Sequence, residues 1–195
     1  MARSGRYKVK FRRRREGKTD YMKRLALLKS RKPRVVVRRT NRYIIVQFVE
    51  FKGEGDEVIA YAFSKELEKY GWPYGGKNLP AAYLTGYLAA MRAKKAGVME
   101  AILDIGRFPS TRGSRLYAAL KGVLDAGIDV PHSPEILPDE DRIRGEHIVS
   151  FAEKLEEEGS LERQFSDYLR KGADPKIIPE TFESVLEKIS AISND

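Results

Sequence analysis

The sequence predicts an α/β domain with a basic arm before it and a helical, acidic extension after it. Two runs of β-branched residues precede segments in which apolar residues recur at helical spacing. The charge is also unevenly distributed: residues 1–39 hold 17 Lys or Arg against two acidic residues, a net charge of +15. Residues 40–195 carry a net charge of −6. Such a dense basic block repels itself and is expected to become ordered on a polyanion.

Residues 1–33 are predicted to form an extended arm, with a short amphipathic helix around Asp20 to Ser30 that Pro33 ends. Arginine pairs with phosphate oxygens through two parallel hydrogen bonds, and aromatic side chains among the arginines offer stacking surfaces to unpaired bases. The arm is therefore predicted to bind nucleic acid, with a solubilising or targeting tail as the alternative. The candidate contacts in the arm are Arg6, Tyr7, Lys8, Lys10, Phe11, Arg12, Arg13, Arg14, Arg15, Lys18, Tyr21 and Arg24.

Residues 34–134 are predicted to form the α/β core, which begins with an antiparallel meander. Its strands are expected at Arg34–Arg39, Tyr43–Val49 and Glu57–Phe63, joined by turns. The first turn, with Arg38, Arg39, Thr40, Asn41 and Arg42, is a candidate second RNA contact, although a plain hairpin turn explains Thr-Asn equally well.

Two helices are expected to follow the meander. Asn78 begins the first and Gly97 ends it, whereas the second runs from Ser114 to Ala126. Lys121 lies off the apolar stripe of the second helix and is a further candidate contact. Short strands are expected at residues 101–105 and 128–130.

Residues 135–195 are predicted to form the acidic helical extension. Apolar residues from Ile148 to Leu155 recur at helical spacing, Ser160 is expected to cap a second helix, and a third runs from about Glu180 through Ile189. The absence of a basic run predicts that these helices pack on the body or on a neighbouring protein.

A basic loop, Gly106 to Arg115, leads into the second core helix. A helix N-terminus presents free N–H groups and a positive dipole end, so this loop could hold a phosphate; the alternative is an ordinary strand-to-helix loop. Its candidate contacts are Arg107, Thr111, Arg112 and Arg115.

An enzyme would need a cluster of catalytic groups, and the sequence contains no specific one. His132 and His147 have no partners at metal-ligand spacing, and His132 is instead a candidate RNA contact. Asp104, on a predicted strand, could anchor a Mg²⁺-dependent nuclease of the ribonuclease H type, with Glu50, Asp125 and Asp129 as possible companions. The favoured interpretation is that Asp104 accepts backbone hydrogen bonds from the loop after it. No catalytic residue, metal or cofactor is therefore predicted.

Other protein classes are disfavoured by composition. The chain has no cysteine, so a disulfide framework and thiolate chemistry are excluded. No apolar run approaches the roughly 18 residues that cross a bilayer, and no signal peptide is recognisable, so a cytoplasmic protein without membrane contact is expected.

The arm and several core motifs resemble one known family, the 5S-rRNA-binding large-subunit ribosomal proteins of archaea and eukaryotes. The most specific segment is Arg6 to Tyr21, RYKVKFRRRREGKTDY. Further similar segments are Thr40-Asn41-Arg42, Lys69-Tyr70-Gly71, Asn78–Gly86, Leu103–Gly106, Thr111 to Gly113, Ala119–Gly122, Asp125, Gly127, Pro131–Ser133 and, more weakly, Gly145–Ile148 and Gln164–Tyr168.

The resemblance implies a three-layer α/β core with a mixed sheet and no catalysis. It further implies a structural constituent of the large ribosomal subunit that binds 5S rRNA and helps attach it to 23S rRNA in the central protuberance, beside neighbouring proteins. The length and the lack of a lysine-rich tail indicate an archaeal-type member. Two alternatives remain: the Mg²⁺-dependent nuclease, and an RNA chaperone whose arm has no preferred partner.

Overall fold

The structure is a computed structural model that describes residues 4–191, so residues 1–3 of the predicted arm and 192–195 of the predicted extension lie outside the described residues. The strands are β1 (Arg34–Arg39), β2 (Ile44–Lys52), β3 (Gly55–Phe63) and β4 (Ile102–Asp104). The α-helices are α1 (Arg12–Arg15), α2 (Tyr21–Leu28), α3 (Leu79–Lys95), α4 (Arg115–Asp125), α5 (Glu140–Arg144), α6 (Glu146–Glu157), α7 (Leu161–Gln164), α8 (Ser166–Arg170) and α9 (Ile178–Ala191). Short 3₁₀ helices lie at Ser64–Tyr70, Pro134–Ile136 and Pro175–Ile177.

The strands form one mixed sheet in the order β3-β2-β1-β4, which confirms the predicted α/β class. The first three strands form the expected antiparallel meander, and β4 pairs in parallel with β1 from Arg34↔Ile102 to Val36↔Asp104. The strand expected at residues 128–130 did not form. That segment makes a single parallel bridge between Glu100 and Asp129.

The hydrophobic core lies on one face of this sheet, beneath α3 and α4. Val35 and Val37 of β1 are fully buried on this side with residues of β2, α3 and α4. Because side chains alternate along a strand, Arg34, Val36 and Arg38 lie on the opposite face, which the arm helix α2 covers. The sheet is thus the middle of three layers.

Helices α3 and α4 approach each other closely through two glycines. A Cβ on Gly86 would lie 2.0 Å from the Ala119 carbonyl oxygen, and a Cβ on Gly122 would lie 2.2 Å from the Tyr83 carbonyl oxygen. Both distances are far below van der Waals contact, so this crossing excludes any side chain at either position. The close approach holds the two helices at a defined spacing above the sheet.

The C-terminal extension packs on the body through α9. Ile178, Phe182, Val185 and Ile189 of that helix are buried in the same core, and the Phe182 ring lies 5.4 Å from that of Tyr83. The helix expected after Ser160 is broken at Phe165 into α7 and α8, and the Ser160 side chain makes no cap hydrogen bond. The helix α5 was not expected.

Candidate nucleic-acid interface

The arm presents a strip of exposed cations. All four arginines of α1 are exposed, and within residues 4–191 the carboxylate of Glu16 pairs only with Arg12, at 3.4 Å, and with Lys18, at 2.8 Å. Arg13 donates through Nε to Thr19 Oγ1. The remaining predicted arm cations have no carboxylate within 4 Å among the described residues; they are Arg6, Lys8, Lys10, Arg14 and Arg15. Most of the arm's charge is therefore uncompensated.

Aromatic side chains accompany these cations. Tyr7 is 50% exposed and Phe11 is 75% exposed, which is unusual for apolar rings in a folded chain. The Phe11 ring lies 5.6 Å from that of Tyr21, at the start of α2. Rings in this setting offer free faces on which bases could stack.

The second half of the arm is docked on the sheet. Asp20 caps α2 by accepting hydrogen bonds from the Met22 and Lys23 N–H groups. From this helix Arg24 reaches Asp56 of β3 with two parallel hydrogen bonds of 2.7 and 2.8 Å. A cleft of about 830 Å³, which we call the arm cleft, remains between α2 and the sheet.

An ion network lines the floor of the arm cleft. Arg34 is only 2% exposed; its Nη2 lies 2.6 Å from Asp56 Oδ1, and its Nη1 donates to Asp104 Oδ2 at 2.8 Å. Arg38 donates to the other oxygen of Asp104 at 2.8 Å. Arg24, Arg34 and Arg38 are thus bridged by two carboxylates.

These contacts lower the pKa of both carboxyl groups. Hydrogen bonding from Arg24 lowers the pKa of Asp56 to about 2, with Arg34 adding to the effect against the opposing influence of burial. Burial alone would raise the pKa of Asp104, but hydrogen bonding and charge from Arg38, the Gly106 N–H and the charge of Arg34 together lower it. Both groups are therefore ionised at neutral pH.

The predicted structural role of Asp104 is confirmed, because the Gly106 N–H donates to its Oδ1 at 2.8 Å. The same network gives Arg24 and Arg38, both predicted RNA contacts, carboxylate partners of their own. No three His, Asp or Glu side chains in the described part of the chain are grouped so that they could hold a metal ion.

The predicted turn contact is a tight hairpin. The Thr40 N–H donates to the Tyr43 carbonyl, and Thr40 Oγ1 accepts from the Tyr43 N–H at 3.0 Å, so the threonine closes the turn. Asn41 and Arg42 are exposed at its tip, and Lys77 donates to the Asn41 carbonyl. The interpretation of Thr40-Asn41 as a hairpin turn is confirmed, and the side chains of Asn41 and Arg42 are left exposed to solvent.

The basic loop borders a second cleft, of about 540 Å³, which we call the loop cleft. Arg39 stacks over the Phe108 ring with its guanidinium carbon 4.9 Å from the centroid, while Arg115 donates to the Lys77 carbonyl. Arg112 is exposed at the rim, as is the neighbouring Thr111. Among the residues that the structure describes, no carboxylate lines this cleft.

Two residues of the loop cleft, Arg142 and His147, were not predicted as contacts. They come from α5 and α6, and Arg142 Nη1 reaches over the loop to within 3.9 Å of a Cβ position on Gly113. No local pattern marks them, because they join the loop only through the packing of the C-terminal extension. The one signal that the sequence offered for a contact here was a basic residue, Arg142, shortly before a predicted helix.

The arm and the basic loop lie side by side. A Cβ on Gly17 would be 3.5 Å from Arg107 Nη1, so the end of α1 adjoins the exposed Arg107. The remaining candidates lie apart: Lys121 pairs with Asp125 at 2.8 Å, and the exposed His132 has Nδ1 2.7 Å from the Val130 carbonyl oxygen. Apart from Lys121 and His132, the predicted contacts therefore lie in three places: the arm, the turn and the loop.

Exposed arginines, exposed aromatic rings and a basic cleft with no lining carboxylate among the described residues are typical of a nucleic-acid-binding protein. No helix in the described ranges is long and apolar enough to cross a membrane.

The comparisons with known proteins give the family. The chain matches, over residues 5–99 and 91–133, the family model described as "Ribosomal large subunit proteins 60S L5, and 50S L18". It is 95% identical over the whole of both chains to "Large ribosomal subunit protein uL18" of Korarchaeum cryptofilum. It is 54% identical to the protein of that name from Aeropyrum pernix, over 97% of this chain and 90% of the relative, and 55% identical to that of Ignicoccus hospitalis, over 97% and 94%.

The chain therefore belongs to this family of large-subunit ribosomal proteins, as the arm motif predicted. Members are structural components of the ribosome, so the chain is a ribosomal protein and not an enzyme, and the nuclease alternative is excluded.

Proposed function

We propose that the chain binds 5S rRNA and helps attach it to 23S rRNA in the central protuberance of the large subunit, beside neighbouring ribosomal proteins. The observation that carries this proposal is the adjacency of the exposed arm and the basic loop, where Gly17 lies against Arg107. Together they offer a continuous basic surface to more than one RNA segment.

In this proposal the arm supplies most of the affinity. Each phosphate that an exposed arm cation neutralises releases condensed counterions, whatever the RNA sequence. Tyr7 and Phe11 add stacking on unpaired bases. Arg24 and Arg38 act indirectly, since their partners Asp56 and Asp104 hold α2 and β4 in place.

The folded body supplies orientation. The turn and the loop are held rigidly, the first by the Thr40–Tyr43 hydrogen bonds and the second between β4 and α4. Asn41, Arg42, Arg107, Thr111, Arg112 and Arg115 are the proposed contacts there, with Lys121 and His132 as peripheral ones. A rigid pair of contacts selects RNA by shape, which an unstructured tail does not.

Competition binding tests the proposal directly. Labelled 5S rRNA is bound to the full chain and displaced by unlabelled 5S rRNA or by a structured RNA of the same length, across a salt series. We expect a preference for 5S rRNA that persists as salt rises, because shape recognition does not depend on counterion release. Equal affinity for both RNAs at every salt concentration would overturn the proposal and favour the chaperone alternative.

A further inference from the structure

Three helices begin at the loop cleft. Its wall includes Asn78 and Leu79 at the start of α3, Ser114 and Arg115 at the start of α4, and His147 in the first turn of α6. Each N-terminus carries a partial positive charge and N–H groups without helical partners. Within residues 4–191 the Arg115 and Leu116 N–H groups have no acceptor, since the first bonded donor of α4 is the Tyr117 N–H.

Four arginines from separate elements surround the same space. Arg39 is the last residue of β1, and Arg112 lies in the basic loop. Arg115 is the first residue of α4, and Arg142 lies in α5. No carboxylate among residues 4–191 lies within ion-pair distance of any of them. Burial lowers the pKa of Arg115, and the nearby charge of Arg39 adds to the effect.

Two polar atoms at the cleft are also unsatisfied. Ser114 Oγ and Asn78 Nδ2 are wholly buried, and neither has a hydrogen-bond partner within the described chain. Buried polar atoms are nearly always bonded in folded proteins. Both residues line the loop cleft, and a hydroxyl and an amide N–H are both able to donate to an oxyanion.

We propose that the loop cleft is a binding site for a backbone phosphate of RNA, held by Arg112, Arg115, Arg142 and the N-terminus of α4. The cleft is open at the surface, and Lys77 connects it to the turn by donating to the Asn41 carbonyl and accepting from Arg115. An RNA strand running along this basic face can therefore place a phosphate in the cleft. That the phosphate belongs to RNA rests on the proposed function. The donors that converge on the cleft would bind a phosphate group from any source.

The sharpest test compares two arginines on one short helix. Arg142 lines the cleft, whereas Arg144 lies 3.5 Å from Glu183 and is not part of the cleft wall. Arg142→Gln and Arg144→Gln remove the same charge at nearly the same place in the chain. We expect Arg142→Gln to weaken 5S rRNA binding about fivefold and to reduce the log–log salt slope by about 0.7–0.9, the value for one lost phosphate contact, while Arg144→Gln leaves both unchanged.

A second measurement reports on the cleft without RNA. His147 lines the cleft, so its imidazole NMR signals report on phosphate there, and Arg144→Gln, which lies outside the cleft wall, is the control. Partial burial, together with Arg142, lowers the pKa of His147 in the free protein. Titration with inorganic phosphate at constant ionic strength is expected to shift the His147 signals in wild type and in Arg144→Gln alike. The shift should disappear in Arg142→Gln.

The outcomes separate the inference from the function on which it rests. If wild type prefers 5S rRNA but the two variants bind it alike, the phosphate site is wrong and the function stands. If phosphate shifts His147 while wild type binds both RNAs equally, the proposed function fails and the phosphate site stands. The RNA assignment is overturned only if Arg142→Gln then binds RNA as wild type does. If phosphate does not shift His147 and Arg142→Gln binds RNA normally, the site is refuted outright.

Discussion

Two clefts in this protein are lined by arginines, and they differ in one property, the presence of carboxylates. In the arm cleft Arg24, Arg34 and Arg38 are bridged by Asp56 and Asp104. Each of these arginines therefore has a carboxylate partner within the chain itself. In the loop cleft no carboxylate of residues 4–191 is among the residues that line the wall. The ion pairs of the first cleft hold the arm on the sheet, and the second cleft leaves positive charge for a partner.

Adjacent residues of β1 illustrate how narrow the difference is. Arg38 and Arg39 are identical and consecutive, but side chains alternate across a strand, so they lie on opposite faces of the sheet. Arg38 meets Asp104, whereas Arg39 meets the Phe108 ring. Composition therefore identifies a basic protein, and the strand geometry decides which arginine is available.

The largest expected effect comes from removing the uncompensated charge of the arm. Deleting residues 1–33 should weaken 5S rRNA binding by roughly 10³-fold at moderate salt, because several phosphate contacts disappear together. The body should stay folded, since Arg34 keeps Asp56 and Asp104 and the core lies on the other face of the sheet. Filter binding and circular dichroism measure the two properties. Loss of the folded signal would mean that the arm is part of the core.

The next largest effect is expected from a substitution at the crossing of α3 and α4, where Gly122 lies against the Tyr83 backbone. Gly122→Ala would place a Cβ 2.2 Å from the Tyr83 carbonyl oxygen, and we expect the free energy of unfolding to fall by about 3 kcal/mol. Gly55→Ala is the control, because nothing lies within 4 Å of a Cβ there. Urea denaturation compares the two. Equal stabilities would show that the helices separate without cost.

Breaking the arm cleft should cost somewhat less. Asp56→Asn removes the shared partner of Arg24 and Arg34 and is expected to lower the free energy of unfolding by about 2 kcal/mol near neutral pH. Since folding depresses the pKa of Asp56 from 3.8 to about 2, its contribution is complete above pH 3.8 and is lost as the pH falls towards 2. The stability difference between wild type and variant should therefore shrink across that window.

Asp129→Asn serves as the control for that variant, since the Asp129 side chain makes no hydrogen bond or ion pair within residues 4–191. Its denaturation midpoint should follow that of wild type at every pH. A difference for Asp56→Asn that stayed constant from pH 6 to pH 2 would contradict the ion-pair explanation.

The smallest effects distinguish the two neighbouring arginines. Arg39→Gln should weaken RNA binding about fivefold at unchanged stability, by loss of one uncompensated cation. Arg38→Gln should leave RNA affinity within about twofold but lower the free energy of unfolding by about 1 kcal/mol, because Asp104 then loses one of its two cations. If the effects were exchanged or equal, the contrast between the clefts would be wrong.

Much of the secondary structure followed from local patterns. The run of Val35, Val36 and Val37 predicted β1, and Asn78 and Gly97 bounded α3 correctly. The exceptions have physical reasons: the segment 128–130 has one bridge partner, in the loop before β4, and the helix after Ser160 is interrupted at Phe165, whose ring packs between Phe151 and Tyr168. Tertiary contacts overrode helical periodicity there.

The sequence by itself determined the basic arm, the order of the elements and the kind of partner, because charge density and periodicity are local properties that survive any arrangement in space. Only the tertiary structure decided which arginines are compensated. Arg34 and Asp104 are 70 residues apart in the chain and 2.8 Å apart in the fold, and Arg142 reaches the basic loop from a helix of the extension. Ion pairing falls off over a few ångströms, so it depends on distances that only the packing of strands and helices sets.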